Sequence, residues 1–401
     1  MMNPISRRAF AAWGAALAAP ALHAQAPAAW ARIEQAARGQ TVRFNAWAGS
    51  QRVNGYLQWA AGELQRRHGV TVEHVKIAET AEAVRRVRAE KAAGRGADGS
   101  ADLVWINGEN FLAMKREGLL FGPFAEALPN FALVDTAGKP TTRVDFSEPV
   151  EGMESPWGMA QLTFYADTAR AGTLPASFAE LEAWSRRNPG RFTYPRPPQF
   201  HGTTFVKQVL LEVTGERAPL YRPHASEAFE RVTAPLWAAL ERLHPLLWRG
   251  GRAFAASTAQ MRQMLADGEL ALSLTFNPNE AANEIAARTL PASVASFQFR
   301  AGTIGNTHFL AIPFNARAKE GAQVAANFML SPPAQARKAD IAVWGDPTVL
   351  ALDRLAPADR ALFAAAQSAP GQVKEPAPVL PEPHASWVEP LEREWSRRFG
   401  G

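Results

Sequence analysis

The 401-residue chain contains no cysteine, and that absence removes disulfides, thiolate nucleophiles, iron–sulfur ligation and a lipidated N-terminal cysteine. It has only four tyrosines, Tyr56, Tyr165, Tyr194 and Tyr221, none beside another. Its eight histidines, at 23, 68, 74, 201, 224, 244, 308 and 384, show no metal-ligand spacing. His-Glu-x-x-His, Gly-x-Ser-x-Gly, Ser-x-x-Lys and Gly-x-x-x-x-Gly-Lys-Ser/Thr are all missing. No resident cofactor or metal is therefore expected. The formal charge of +5 is modest for the length, and the basic residues are scattered without interleaved aromatics. Nucleic acid is not an expected partner. Nor is any stretch apolar enough, over the roughly 20 residues needed, to span a bilayer.

What is present begins at the N-terminus. Arg7 and Arg8 stand in Ser6-Arg7-Arg8-Ala9-Phe10, followed by an alanine-rich apolar stretch to about Leu22 and then Ala24-Gln25-Ala26. That order is the pattern of a twin-arginine signal peptide. It predicts that residues 1–26 are a signal, with cleavage after Ala26 and Ala24 as the alternative point, and that the mature chain is a soluble periplasmic protein.

About 375 residues remain, more than one hydrophobic core usually organises, so two domains are expected. The patterning alternates strand and helix: a strand over 41–47, a helix over 51–68, a strand over 70–77, a helix over 80–93 with Thr80 as its N-cap, and a strand over 102–106. The apolar run Leu103-Val104-Trp105-Ile106 suits a mostly parallel sheet covered on both faces. A second set follows, with helices over 177–188, 203–214 and 226–243 and strands over 191–195 and 270–276. Strands over 296–300 and 307–313 and a helix over 320–330 then return to the first set. The expected division is a discontinuous lobe 1 (38–150 plus 301–345), a lobe 2 (156–300) and a C-terminal region of helices and proline-rich strap (346–401). Two crossings, near 149–159 and 300–307, would form a hinge. Proline at 370, 376, 378, 381 and 383 excludes a helix there, and a last helix is expected over 386–398.

The signal peptide, this order of elements, Thr193-Tyr194-Pro195 followed by His201-Gly202-Thr203-Thr204, and Leu310-Ala311-Ile312-Pro313 resemble the family 1 extracellular solute-binding proteins of ABC importers. Three further runs resemble the YnjB-type subgroup: Val104-Trp105-Ile106-Asn107-Gly108-Glu109-Asn110-Phe111, Leu120-Phe121-Gly122-Pro123 and Glu154-Ser155-Pro156-Trp157-Gly158-Met159. The resemblance covers nearly the whole mature chain. It implies a type II periplasmic-binding-protein fold, two α/β lobes joined by a two-segment hinge, and two partners, a small-molecule solute and a membrane permease. A monomer is expected. The family's iron binders use adjacent tyrosines, which this chain lacks.

In open α/β sheets, ligands bind outside the carboxyl ends of the strands, where helix N-termini offer free N–H groups. Trp47, Gly49 and Ser50 follow the first strand; the indole is a stacking platform, the glycine permits close approach, and Ser50 either caps the next helix or offers its hydroxyl. Asn107, Gly108, Glu109 and Asn110 follow the third strand. Thr203 and Thr204 open a helix of the second lobe, Asn277 follows its last strand, and Trp157 stands at the first crossing. Aromatic faces beside Glu109 and Glu154 favour a small polar solute that is cationic or amine-bearing, with an anion at Thr203 and Thr204 or a neutral sugar as other possibilities. A twin-arginine signal also serves exported enzymes, so a periplasmic hydrolase or oxidoreductase using the same cleft is the alternative to a binder.

Overall fold

The computed structural model describes residues 21–364 and 369–400. Most of the expected signal, including Arg7 and Arg8, lies outside the described residues; a helix, Ala21–Ala37, continues through the expected cleavage point. Nine strands carry the architecture: β1 (Thr41–Trp47), β2 (Thr71–Ile77), β3 (Leu103–Ile106), β4 (Glu154–Gln161), β5 (Thr163–Asp167), β6 (Leu272–Thr275), β7 (Val294–Phe297), β8 (Thr303–Ala311) and β9 (Val379–Leu380).

The first sheet runs β9-β8-β3-β1-β2, and β4 also pairs with β8, on the edge opposite β3. β1 is parallel to β2 and β3, whereas β8 is antiparallel to β3 and β4. Val42, Phe44, Asn45 and Ala46 of β1 are all buried, as a strand covered on both faces requires. The helix Gln51–His68 lies on one face because Val53, Tyr56, Leu57, Ala60 and Leu64 form a single apolar stripe. It stops where Gly69 adopts the left-handed conformation, with φ 66°. Thr80 stands at the start of the helix Ala81–Ala92, but its hydroxyl does not cap it; Oγ1 donates to the carbonyl of Trp105 at 3.1 Å and ties the start of the helix to β3 instead.

The second sheet, β6-β5-β7, is antiparallel throughout, unlike the first. The expected strand over 191–195 makes only one bridge, Pro195 to Ala255. Phe192, Thr193 and Tyr194 are all buried, so the segment packs into the core of the second lobe without joining its sheet. The C-terminal helix Val388–Phe399 belongs to this lobe, since Leu391 and Trp395, with Trp387 just before it, sit in the same core as Phe164 and Phe205.

The chain is thus a two-lobe α/β molecule. Residues 154–161 pair with β8 along their length and remain in the first lobe, so the first crossing falls at Leu162, whose N–H donates to Ile304. The second falls between Phe297 and Thr303. The proline-rich segment makes a third: Gly371 accepts from Ser296 of the second lobe, and β9 then joins β8 beside Thr303 and Ile304.

Candidate functional site

Between the lobes lies a cleft enclosing about 1190 Å³, part of it open to solvent. Lobe 1 contributes Trp47 at the end of β1 with Gly49, Ser50 and Arg52 after it, Glu79 and Thr80 after β2, Trp105 and Asn107 at the end of β3, and Asn306 and His308 of β8. Trp344 and Asp346 come from far along the chain. Opposite them, lobe 2 supplies Gln199, Phe200 and His201 at a helix start, Arg262 from the helix Thr258–Ala266, Phe276 and Asn277 after β6, and Glu280, Asn283 and Glu284.

The lobe 1 wall is aromatic. Trp105 meets His308 and Trp157 edge-on at ring separations of 4.9 and 5.0 Å, and Trp344 packs 5.9 Å from Trp105. Such contacts lock the rings in place before any ligand arrives. His308 Nε2 pairs with Asp346 at 3.0 Å, and the buried Lys338 ammonium holds the other carboxylate oxygen. Burial alone would raise Asp346, but Lys338 and His308 outweigh it and keep the carboxyl below its ordinary range. On the facing wall Arg262 pairs with Glu280 at 2.9 Å. Glu284 lies 3.8 Å from both Arg262 and the lobe 1 residue Arg52, which also donates to the Asn283 carbonyl at 2.6 Å. Burial pushes Glu280 above the usual carboxylate range against the pull of Arg262 and the Thr275 hydroxyl. Glu79 differs: among the described residues it has no ion-pair partner. Its carboxyl is pushed up to about 7 by loss of water and by the charges of Glu109 and Glu82.

Trp47, Gly49, Ser50, Asn107 and Asn277 line the cleft. Ser50 stands at the helix N-cap without a side-chain capping bond. Asn107 is steadied by Asn110, whose amide donates to Asn107 Oδ1 at 2.8 Å. Asn277 donates to the Trp344 carbonyl at 3.2 Å and so also joins the lobes.

Other expected site residues are directed elsewhere. Trp157 is fully buried within β4, stacked near Tyr56, rather than at a crossing. Thr203 and Thr204 do not open their helix. It starts at Phe200, with Gln199 as N-cap, and the two hydroxyls are engaged by Glu392 and by the Phe200 carbonyl. Gly108 is packed under the Phe146 ring. Glu109, with Asn110 beside it, is not among the cleft-lining residues, and Glu154 is buried in the first sheet without a hydrogen-bond partner. His201, Gln199, Arg52, Arg262, His308 and Trp344 were not anticipated. The only sequence signal for His201 was its place directly before Gly202-Thr203-Thr204.

Residues 59–352 match the family described as bacterial extracellular solute-binding protein. The chain belongs to that family. It is also 49% identical over 371 residues to Protein YnjB of Escherichia coli strain K12, covering 92% of this chain and 94% of that one. Among solved structures, the fold resembles the periplasmic binding protein AfuA from Actinobacillus pleuropneumoniae, with fructose-6-phosphate bound, at a TM-score of 0.59 and 16% identity over 90% of this chain and 99% of that one. It likewise resembles the spermidine/putrescine substrate-binding protein PotD from Streptococcus pneumoniae, at 0.58 and 11% identity over 89% and 99%. Solute-binding proteins of this family are the capture components of ABC importers.

Proposed function

We propose that this protein is a monomeric periplasmic receptor that captures a small organic cation by hinge closure and presents it to an ABC permease without chemical turnover. Each chain forms a complete cleft, so no second copy is needed. The related folds are named for solutes of both signs, fructose-6-phosphate and spermidine/putrescine, so the sign has to be argued from this cleft. The observation that carries the cationic reading is the combination of aromatic faces on both walls, Trp47 and Trp105 against Phe200 and Phe276, with Glu79, the one cleft carboxylate without an ion-pair partner among the described residues. A cation over an aromatic face gains about 0.5–2 kcal/mol, and a carboxylate adds a charge-assisted hydrogen bond.

The test is a thermal-shift screen of heteroaromatic cations, polyamines, amino acids, sugars and oxyanions on the wild type and on Glu79→Gln. A cation should stabilise the wild type without being consumed. Glu79→Gln should weaken it by about ten- to a hundredfold, the loss of a contact of roughly 1.5–3 kcal/mol. Stabilisation by an oxyanion that survives Glu79→Gln and disappears in Arg262→Gln would reverse the charge assignment. The export part of the proposal rests on Arg7 and Arg8. Replacing both by Lys should leave unprocessed precursor in the cytoplasm, and normal processing of that variant would remove the twin-arginine route.

A further inference from the structure

His201 lines the cleft at the start of the helix Phe200–Val213, and its hydrogen bonds determine where its proton sits. The key is Gln199. Its Oε1 accepts from the backbone N–H of His201 at 2.9 Å and of Gly202 at 3.3 Å. Two backbone donors on one atom identify that atom as the amide oxygen, because an NH₂ group there would face donors with donors. The amide nitrogen is then the atom 3.1 Å from His201 Nδ1. It can only donate, so Nδ1 accepts and carries no proton, and the ring proton lies on Nε2.

The charge state follows by the same geometry. An imidazolium would place Nδ1–H against the Gln199 NH₂, donor against donor. Burial acts in the same direction and lowers the ring's pKa to about 4. Among the described residues Nε2 has no protein partner, and it is not one of the sealed, unsatisfied buried atoms. It is therefore not sealed off, and its ring borders the cleft. The Phe200 ring packs edge-on against the imidazole at 5.3 Å.

Resting on the reading of this cleft as the solute site, we infer that His201 presents a fixed, neutral Nε2–H donor to the solute, with Gln199 as the residue that sets its tautomer. The solute class then narrows to one that carries a hydrogen-bond acceptor, a ring nitrogen or carbonyl oxygen, at the lobe 2 side of its cationic or aromatic body. A simple polyamine, whose fully protonated amines only donate, has nothing to offer this group.

The tautomer can be read without any solute. In protein labelled with ¹⁵N-histidine, a long-range ¹H–¹⁵N correlation spectrum, with His201 assigned by its loss in His201→Gln, should show a protonated Nε2 and a bare Nδ1 that persist from pH 8 to pH 5.5. A proton on Nδ1, or titration to imidazolium within that range, would overturn the inference. Gln199→Glu places a second acceptor beside Nδ1 and should move the proton there or charge the ring. The donor role is probed by adding 4-aminopyrimidine, which bears ring-nitrogen acceptors, and aniline, which bears none. The first should shift the His201 Nε2 resonance and the second should leave it. Equal shifts, or none from either, would remove the donor role. A confirmed tautomer and donor alongside a cleft that answers only to oxyanions would sink the cationic reading and leave this one standing.

Discussion

Gly49 and Gly108 follow different strands of one sheet and have opposite uses. A Cβ on Gly49 would lie 2.2 Å from Cζ2 of the Trp47 indole, which folds back over it. The glycine therefore sets the pose of a ring that faces the cleft. Gly49→Ala should push that ring off its seat and cost at least tenfold in solute affinity, with little change in the melting temperature of the unliganded protein, because the space the ring moves into is the open cleft. A Cβ on Gly108 would lie 2.0 Å from the Phe146 ring, which is 2% exposed and has nowhere to go. Gly108→Ala should destabilise by about 1–3 kcal/mol, the usual cost of overpacking. Calorimetry of the two variants with the solute found by screening separates the roles, and a Gly49→Ala protein that binds normally would show that the indole pose is unimportant.

The helix Gly108–Arg116 shows how one element divides its residues between two tasks. Its N-cap, Asn107, faces the cleft, while Leu112 packs with Phe146, Ala385, Val388 and Phe200 in a seam between the lobes. Glu109 is held near that seam: burial pushes its carboxyl up to about 7, helped by Glu392 and Glu382 and opposed by Lys207. A raised carboxyl favours the protonated form in the folded protein. Its contribution to stability is complete below the ordinary value of 4.5 and is lost as pH rises through about 7. Glu79, also near 7, acts in the same window. Thermal stability should therefore fall between pH 5 and pH 8, and Glu109→Gln should flatten part of that fall, gaining on the order of 2 kcal/mol at pH 8. Melting curves across that range are the measurement; an unchanged slope in the variant would place the titration elsewhere.

At the scale of the whole molecule, three segments cross between the lobes rather than the two that the patterning suggested. Arg52, Asn277 and Asn279 add hydrogen bonds that already link the lobes, Asn279 to the Gly345 carbonyl at 2.6 Å. Closure is a population shift, and a solute moves it only by contacts that the open form lacks; Phe200, His201, Phe276 and Glu280 are the lobe 2 residues that line the cleft. Small-angle scattering should show the radius of gyration contract at saturating solute. An unchanged radius would exclude hinge closure, whatever the tryptophan fluorescence does, because twelve tryptophans report on more than the cleft.

The sequence by itself determined what depends on neighbours along the chain. Alternating strands and helices, the glycine that ends the helix after β1, the proline-rich strap and the strand ends that bring Trp47, Ser50, Asn107 and Asn277 to the cleft wall are all set within a few residues by periodicity and turn chemistry. It did not determine which way a side chain in a helix's first turn points relative to the other lobe. Successive residues there are turned by about 100°, so Asn107 and Glu109, or His201 and Thr203, part company only when the facing surface is in place. Trp157 was misplaced because its strand pairs with β8, about 150 residues further on. His308, Trp344, Arg52 and Arg262 meet around one space because two sheets and three crossings bring distant segments together. That convergence has no local signature, and only the packing of the two lobes decided it.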